Sequence, residues 1–256
     1  MSEHFRLLSL APTQTEILAG LGMIDSIMGI TEDCDYPEAV KGIRRFGSWY
    51  SPNIPAIREA KPDLVFTFGS HHEEIRETLQ DSGLKVYHSE PPTIAESLDS
   101  MGEIAALLGR ETIWADLLEA LQERLARIRK RLRSRSGHRP SVFRIMNWDP
   151  LITPGPGAFQ HDVIEFSGGV NVAGDGPAPY FVCDVNEMLT RDPEIIFFCE
   201  PKIKTFLEND ASWKEVSAVR CGRVYIYDCG LTCRSGPRIV DMAERLNEAI
   251  LAFEGA

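Results

Sequence analysis

The chain lacks any run of about 18 apolar residues, the least that a membrane-crossing helix requires, and so it reads as spanning no bilayer. It is also poor in basic residues. Across 256 residues, 27 Lys and Arg stand against 38 Asp and Glu, a formal net charge of −11. A dedicated nucleic-acid binder carries a basic surface, so that class is set aside. The loop after the first apolar run has no Gly-x-Gly-x-x-Gly, and there is no phosphate-loop Gly-Lys-Ser/Thr. No Gly-x-Ser-x-Gly elbow occurs, and His72-Glu73-Glu74-Ile75-Arg76 opens like a zinc-protease helix but places Arg76 where the second histidine belongs. No Cys-x-x-Cys pair supports a structural zinc or a redox site. A Ser70–His71 or His71–Glu73 catalytic pair is conceivable, but capping accounts for Ser70 and Glu73. The expected catalytic set and the expected protein-held metal set are therefore both empty. Met1-Ser2-Glu3-His4-Phe5-Arg6 has no basic segment ahead of a long apolar stretch, and Leu7–Leu10 is short for a secretion signal. The expected compartment is the cytoplasm, or outside it if a leader has been removed.

What is present is ordinary for a soluble globular protein, with 43% hydrophobic and 25% charged residues. The length fits one large domain or two modest lobes. Short apolar runs alternate with helical patterns, which indicates an α/β fold with parallel sheet. Arg6–Leu10 reads as a strand, and Thr13-Gln14-Thr15-Glu16 behind it spells a capping box. Ile17, Leu18 and Leu21 give that helix an apolar face, and Gly22 stops it. Asp63–Phe68 is a second strand, Gly69 turns the chain, and Ser70-His71-His72-Glu73 spells another capping box for a helix to Asp81. Leu84–His88 follows as a strand. From Thr112 to Arg135, Ile113, Leu117, Leu121, Leu125, Ile128 and Leu132 recur at three- and four-residue spacing, which predicts one amphipathic helix about 35 Å long. Its basic end, Arg127 to Arg135, reads as a solvated face complementing the helix dipole, or as an anion- or membrane-binding patch. Beyond Pro140, strands are expected at Val142–Met146, Glu194–Cys199 and Val224–Tyr227, with helices at His161–Ser167 and Pro237–Phe253.

An internal echo runs at an offset of 131 residues. Asn53-Ile54-Pro55-Ala56-Ile57 ahead of Lys61-Pro62-Asp63-Leu64-Val65-Phe66 parallels Asp184-Val185-Asn186-Glu187-Met188 ahead of Asp192-Pro193-Glu194-Ile195-Ile196-Phe197. Each copy reads as short helix, Pro-acid and buried strand. Two α/β lobes joined by the long helix fit the pattern, with boundaries at 1–111, 112–136 and 137–256.

Cys199, inside an apolar run, reads as a small buried hydrophobe, while Cys229 and Cys233 flank a loop and can form a disulfide or meet a ligand. Phe66, Phe68, Phe197 and Phe198 lie inside strands and belong to the core. Trp49, Tyr50, Trp148, Phe159, Tyr180 and Phe181 instead sit in loops beside Gly, Pro and Ser. Such residues are harder to bury, so they suit a large flat or macrocyclic ligand at the carboxyl ends of the strands, or else packing between lobes.

Leu8-Ser9-Leu10-Ala11-Pro12-Thr13-Gln14-Thr15-Glu16-Ile17-Leu18 resembles the opening of the cobalamin and ferric-siderophore binding proteins of ABC importers. Gly29-Ile30-Thr31, Cys34-Asp35-Tyr36-Pro37, Lys61-Pro62-Asp63-Leu64-Val65, Val163-Ile164-Glu165-Phe166-Ser167-Gly168-Gly169-Val170-Asn171-Val172 and Ser235-Gly236-Pro237-Arg238 continue the resemblance over nearly the whole chain. It implies two Rossmann-like lobes bridged by one rigid helix, non-enzymatic binding of a corrinoid between them, no required cofactor, and delivery to an ABC permease. Trp49, Tyr50, Trp148, Phe159 and Phe181 are then the expected stacking contacts, and Thr13 with the amides behind it the polar ones. Tyr36, His71 and Arg234 complete the expected ligand set. Glu73 and Glu200 are the acidic residues expected to meet the permease. Two other readings stay open: a ferric-siderophore or haem binder, with Tyr36, Tyr50 or His71 as axial candidates for haem, and a cytoplasmic corrinoid-handling protein or enzyme using Cys34, Cys229, Cys233 and His71.

Overall fold

Strand β1 (Leu7–Ser9) is fully buried, and its chain turns at once into α1 (Pro12–Gly20). Pro12 occupies the first helical turn, where a missing N–H costs nothing and φ is already set for helix. The helix therefore starts one residue before the predicted capping box, with Ala11 as N-cap and no side-chain cap bond, and Thr13 is buried inside the first turn. This corrects the first capping box; Gly22, at φ +70°, still ends the turn that follows. A computed structural model of the chain describes residues 5–134 and 137–253. Arg135, read above as part of the basic helix end, and Met1–His4 lie outside the described residues.

The chain divides into two compact units, Met1–Pro91 with Ser97–Leu118 and Pro92–Glu96 with Glu119–Ala256. Unit 1 continues through β2 (Ile27–Ile30), α2 (Ile54–Ala60), β3 (Leu64–Phe68), α3 (Glu73–Asp81), β4 (Val86–Ser89) and most of α4 (Ile94–Leu107). Its four strands are all parallel, in the order β2-β1-β3-β4. Leu8, Leu10, Phe46, Ile57, Val65 and Leu79 form its core, each such side chain contributing about 2 kcal/mol of burial. Gly29 in β2 leaves room for the Phe46 ring, which any Cβ there would overlap.

Helix α5 (Glu111–Arg133) is the predicted long helix; its residues to Leu118 belong to unit 1 and the remainder to unit 2. Of the predicted stripe, Leu121, Leu125 and Ile128 are buried, whereas Ile113 is exposed. The basic residues of this helix find partners within unit 2. Arg124 forks onto Asp241 and Glu244, Arg127 lies 3.9 Å from Glu244, and Arg129 sits over the Phe166 ring at 5.1 Å.

Unit 2 runs through β5 (Ser141–Arg144), β6 (Ile152–Pro154), α6 (Phe159–Phe166), β7 (Val170–Asn171), β8 (Tyr180–Val182), α7 (Val185–Thr190), β9 (Ile195–Phe198), α8 (Lys202–Asn209), α9 (Ser217–Arg220), β10 (Val224–Ile226), α10 (Cys229–Thr232) and α11 (Ile239–Ala252). Its parallel sheet has the order β10-β9-β5-β7, which read from the other edge is the order of unit 1. The antiparallel pair β6–β8 is an addition that unit 1 does not share among the described residues. The 131-residue echo is visible in backbone detail. Asn53 caps α2 through the Ala56 amide as Asp184 caps α7 through the Glu187 amide, and Lys61 and Asp192 are the two non-glycine residues with positive φ among the described residues. The chain is thus two Rossmann-like α/β lobes connected by one long helix. No described helix is long and apolar enough to cross a membrane.

Candidate functional site

Open parallel sheets offer ligand sites beyond the carboxyl ends of their strands, and each unit has one such set of ends. After β3, Gly69 at φ +78° redirects the chain into a short 3-10 turn, Ser70–His72, before α3 begins at Glu73. The N-cap residues Gly69 and His72 make no side-chain cap bond, which corrects the second capping box; the turn intervenes where the box would close. His72 is fully buried. Its Nδ1 accepts the Phe68 amide at 3.3 Å, and its Nε2 lies 2.8 Å from the Trp49 carbonyl. A ring that accepts at Nδ1 carries its proton on Nε2, so neutral His72 donates to Trp49 and ties that loop to the end of β3. Burial pushes the His72 pKa below the usual 6.5, against the upward pull of the Trp49 bond, with His88 and His71 adding to the depression.

Above this latch three rings meet edge to face. Trp49 and Tyr50 have centroids 4.6 Å apart at 64°, Trp49 and His71 are 5.2 Å apart at 80°, and Tyr50 and His71 are 5.5 Å apart at 72°. Tyr50 is 71% exposed, a large value for an aromatic held by its neighbours. The Trp49 indole N–H is buried and has no hydrogen-bond partner, and its amide donates to Asp33 at 2.6 Å. Tyr36, 45% exposed, lies in the loop after β2. Behind the site, Gln14 of α1 reaches the Thr67 carbonyl at 3.3 Å and Ser89 at 3.0 Å, leaving its own oxygen unpartnered. Trp49, Tyr50 and His71 are thus brought together; Thr13 is buried.

The strand ends of unit 2 are built differently. Arg144 closes β5 and is fully buried, its guanidinium donating to the Ile145 carbonyl and to Thr232 at 3.2 Å while lying 5.3 Å over the Phe197 ring. Cys199, expected within the strand as an inert hydrophobe, follows the end of β9 and is half-buried. Its sulfur lies 4.0 Å from that of Cys233, which is 3.4 Å from that of Cys229. All three are free thiols. Hydrogen bonds from the Cys229 and Cys233 thiols, with the nearby Arg144 charge, hold the Cys199 pKa well below the usual thiol range, and Cys229 is pushed far up in exchange.

The remaining ligand candidates, all in unit 2, are buried or half-buried. Trp148 stacks on Phe206 at 5.5 Å and 14° and meets Trp213 at 5.7 Å; Phe181 is half-buried on the same core. Phe159 is buried as the first residue of α6, and Arg234 is also buried. Flanking Gly and Pro did not keep Phe159 exposed, because α6 begins on it rather than after it. Glu73 and Glu200 are exposed, Glu200 accepting the Lys202 amide at 3.4 Å. Sequence reading missed His72, whose partner is 23 residues away, and Arg144, whose one signal was a cation inside an apolar strand.

Residues 7–229 match the family described as periplasmic binding protein. The chain belongs to that family. It is 27% identical over 247 residues to the vitamin B12-binding protein of Vibrio cholerae, covering 94% of this chain and 87% of that one. It is 28% identical over 254 residues to an uncharacterized ABC transporter substrate-binding lipoprotein, YvrC, of Bacillus subtilis, covering 97% and 80%. The crystal structure of the periplasmic vitamin B12 binding protein BtuF of Vibrio cholerae superposes with a TM-score of 0.85 at 25% identity, covering 98% of each chain. The chain is accordingly a substrate-binding protein of the ABC-importer kind, and the proteins it matches are binding proteins rather than enzymes.

Proposed function

We propose that this chain binds a corrinoid of the cobalamin class and hands it to an ABC importer. The observation that carries the reading is the exposed Trp49–Tyr50–His71 cluster held by His72 at the strand ends of unit 1, in a chain aligned over 94% of its length with a vitamin B12-binding protein. A corrin presents a broad apolar face and edge with amide side groups around it. The Tyr50 and Trp49 rings offer matching apolar area at low entropic cost, since each has only two side-chain torsions. Trp148 and Phe181 pack on the core of unit 2, and Phe159 and Arg234 are buried, so these four offer a ligand less surface. Exposed Tyr36, in the loop after β2, is proposed as a further contact from unit 1, and buried Thr13 contributes least. Glu73 and Glu200, exposed and acidic, are proposed to meet basic residues of the permease.

The test is a titration of the chain with cyanocobalamin, followed by the absorbance of the bound corrinoid. Saturable binding of one corrinoid per chain is expected, weakened in Trp49→Ala. Absence of binding at about 100 μM cyanocobalamin, a Kd weaker than about −5.5 kcal/mol of binding, together with saturable binding of hemin or a ferric siderophore, overturns the reading.

A further inference from the structure

Three of the six cysteines converge at the strand ends of unit 2, from two separate stretches of chain. Cys199 comes from the end of β9, while Cys229 and Cys233 lie one helical turn apart across α10. Their sulfurs lie within 4.8 Å of one another, with pairs at 3.4 and 4.0 Å. Three thiolates binding one zinc-like ion at about 2.3 Å stand roughly 3.8 Å apart in tetrahedral geometry. Two of the three pairs already have about that spacing and the third lies within 4.8 Å, so an ion enters with an adjustment of about 1 Å or less.

Arg144 supplies the second observation. It is fully buried, its Nε has no hydrogen-bond partner, and among the described residues no carboxylate lies within ion-pair distance of it. A buried cation without a counter-ion is costly. The sulfurs it faces are those of Cys233 at 3.5 Å and Cys199 at 3.7 Å. Three thiolates carry −3, a divalent ion +2 and Arg144 +1, so the loaded cluster is neutral. A monovalent ion leaves one negative charge uncompensated. Exposed Cys229 leaves the cluster open to solvent, which gives the ion an entry path and a fourth position for water.

We propose that Cys199, Cys229 and Cys233 form a three-thiolate site for a soft divalent cation, with Arg144 as its fixed counter-charge. On binding, each thiol still protonated releases its proton to solvent, and no electrons move. The site is contained in unit 2 and does not depend on the corrinoid reading.

The test is a titration of the reduced, metal-free full chain with Cd(II), read by thiolate-to-cadmium charge-transfer absorbance and by proton release. Saturation at one ion per chain is expected, together with an affinity loss of roughly 100-fold or more in Cys199→Ser and in Cys233→Ser, each removing one ligand. Arg144→Met weakens binding about tenfold, the scale of a lost outer partner. Cys221→Ser, outside the cluster, leaves the titration unchanged. Circular dichroism of each variant separates loss of the site from loss of the fold. Absence of one-to-one saturation in the wild type overturns the proposal, as does a charge-transfer band that folded Cys199→Ser retains at full strength. A Cys229–Cys233 disulfide in protein isolated without oxidant also overturns it.

Discussion

Ser9 and Arg144 hold the same place in two sheets of the same order. Ser9 pairs with Phe66 in unit 1, and Arg144 pairs with Phe197, 131 residues further on, in unit 2. Around Ser9 lies a compact, fully buried network of hydroxyls: Thr15 reaches Ser9 at 2.8 Å and Cys34 at 3.1 Å, and Thr31 meets Cys34 at 3.2 Å. Around Arg144 lie Thr232 and sulfurs of half-buried Cys199 and Cys233. One position therefore supports a closed polar plug in one unit and a charged, solvent-reaching cluster in the other. The repeated sheet fixes where a strand-end site can be, and the residue at the end of the central strand fixes what kind of chemistry gathers there.

Truncation at that position tests the contrast most strongly. Arg144→Ala removes a large, fully packed side chain and its bonds to Thr232 and the Ile145 carbonyl, for an expected loss of about 3 kcal/mol. Ser9→Ala removes two hydroxyl bonds of the plug, one donated to the Ala11 carbonyl and one accepted from Thr15, and is expected to cost about 1.5 kcal/mol. Urea denaturation of both variants measures the difference; equal losses would mean that the two strand ends do the same job.

A smaller split is expected between the two loop tryptophans. Trp49→Ala is predicted to weaken cyanocobalamin binding about 30-fold, near 2 kcal/mol for an aromatic anchor. Trp148→Ala should change affinity by less than about threefold yet lower the urea midpoint, because Trp148 is packed on Phe206 and Trp213. Affinities and midpoints measured on the same two variants decide whether the units divide binding and packing in this way.

Mild acidification should loosen the His72 latch of unit 1. The His72 pKa is depressed when folded, so below 6.5 the unfolded chain takes the proton first and the folded latch loses stability as pH falls toward the lower folded value. Corrinoid affinity is therefore expected to be constant above about pH 7 and to fall severalfold by about pH 5.5. His72→Gln, whose amide can keep one donor and one acceptor, should flatten that profile. A wild-type affinity that rises on acidification would contradict the assigned tautomer. Smallest for the isolated chain are Glu73→Lys and Glu200→Lys, expected to leave corrinoid affinity within about twofold, since exposed charges contribute little, while reducing uptake in a transport assay with the permease.

Much of the scaffold was legible because it rests on local signals. The stripe Leu121, Leu125, Ile128 marked α5, and the Asn53/Asp184 caps with the Pro-acid pairs marked both copies of the repeat. Strand β2 and the β6–β8 pair escaped, being three or four residues long and carrying no alternation that separates them from loop. The site was legible in part. Trp49, Tyr50 and His71 are neighbours in space as well as candidates in sequence, whereas His72 works through a carbonyl 23 residues away and Cys199 through a Cys233 sulfur 34 residues away. Contacts of that range leave no periodicity or spacing in the chain, so only the folded backbone brings them into view.

The most direct measurement is the cyanocobalamin titration of the wild type beside Trp49→Ala and Tyr50→Ala at neutral pH. The account predicts one corrinoid per chain with a Kd at or below about 1 μM and a clear loss of affinity in both variants. Wild-type protein that leaves cyanocobalamin unbound at about 100 μM, or folded variants that bind it as tightly as the wild type, would contradict it.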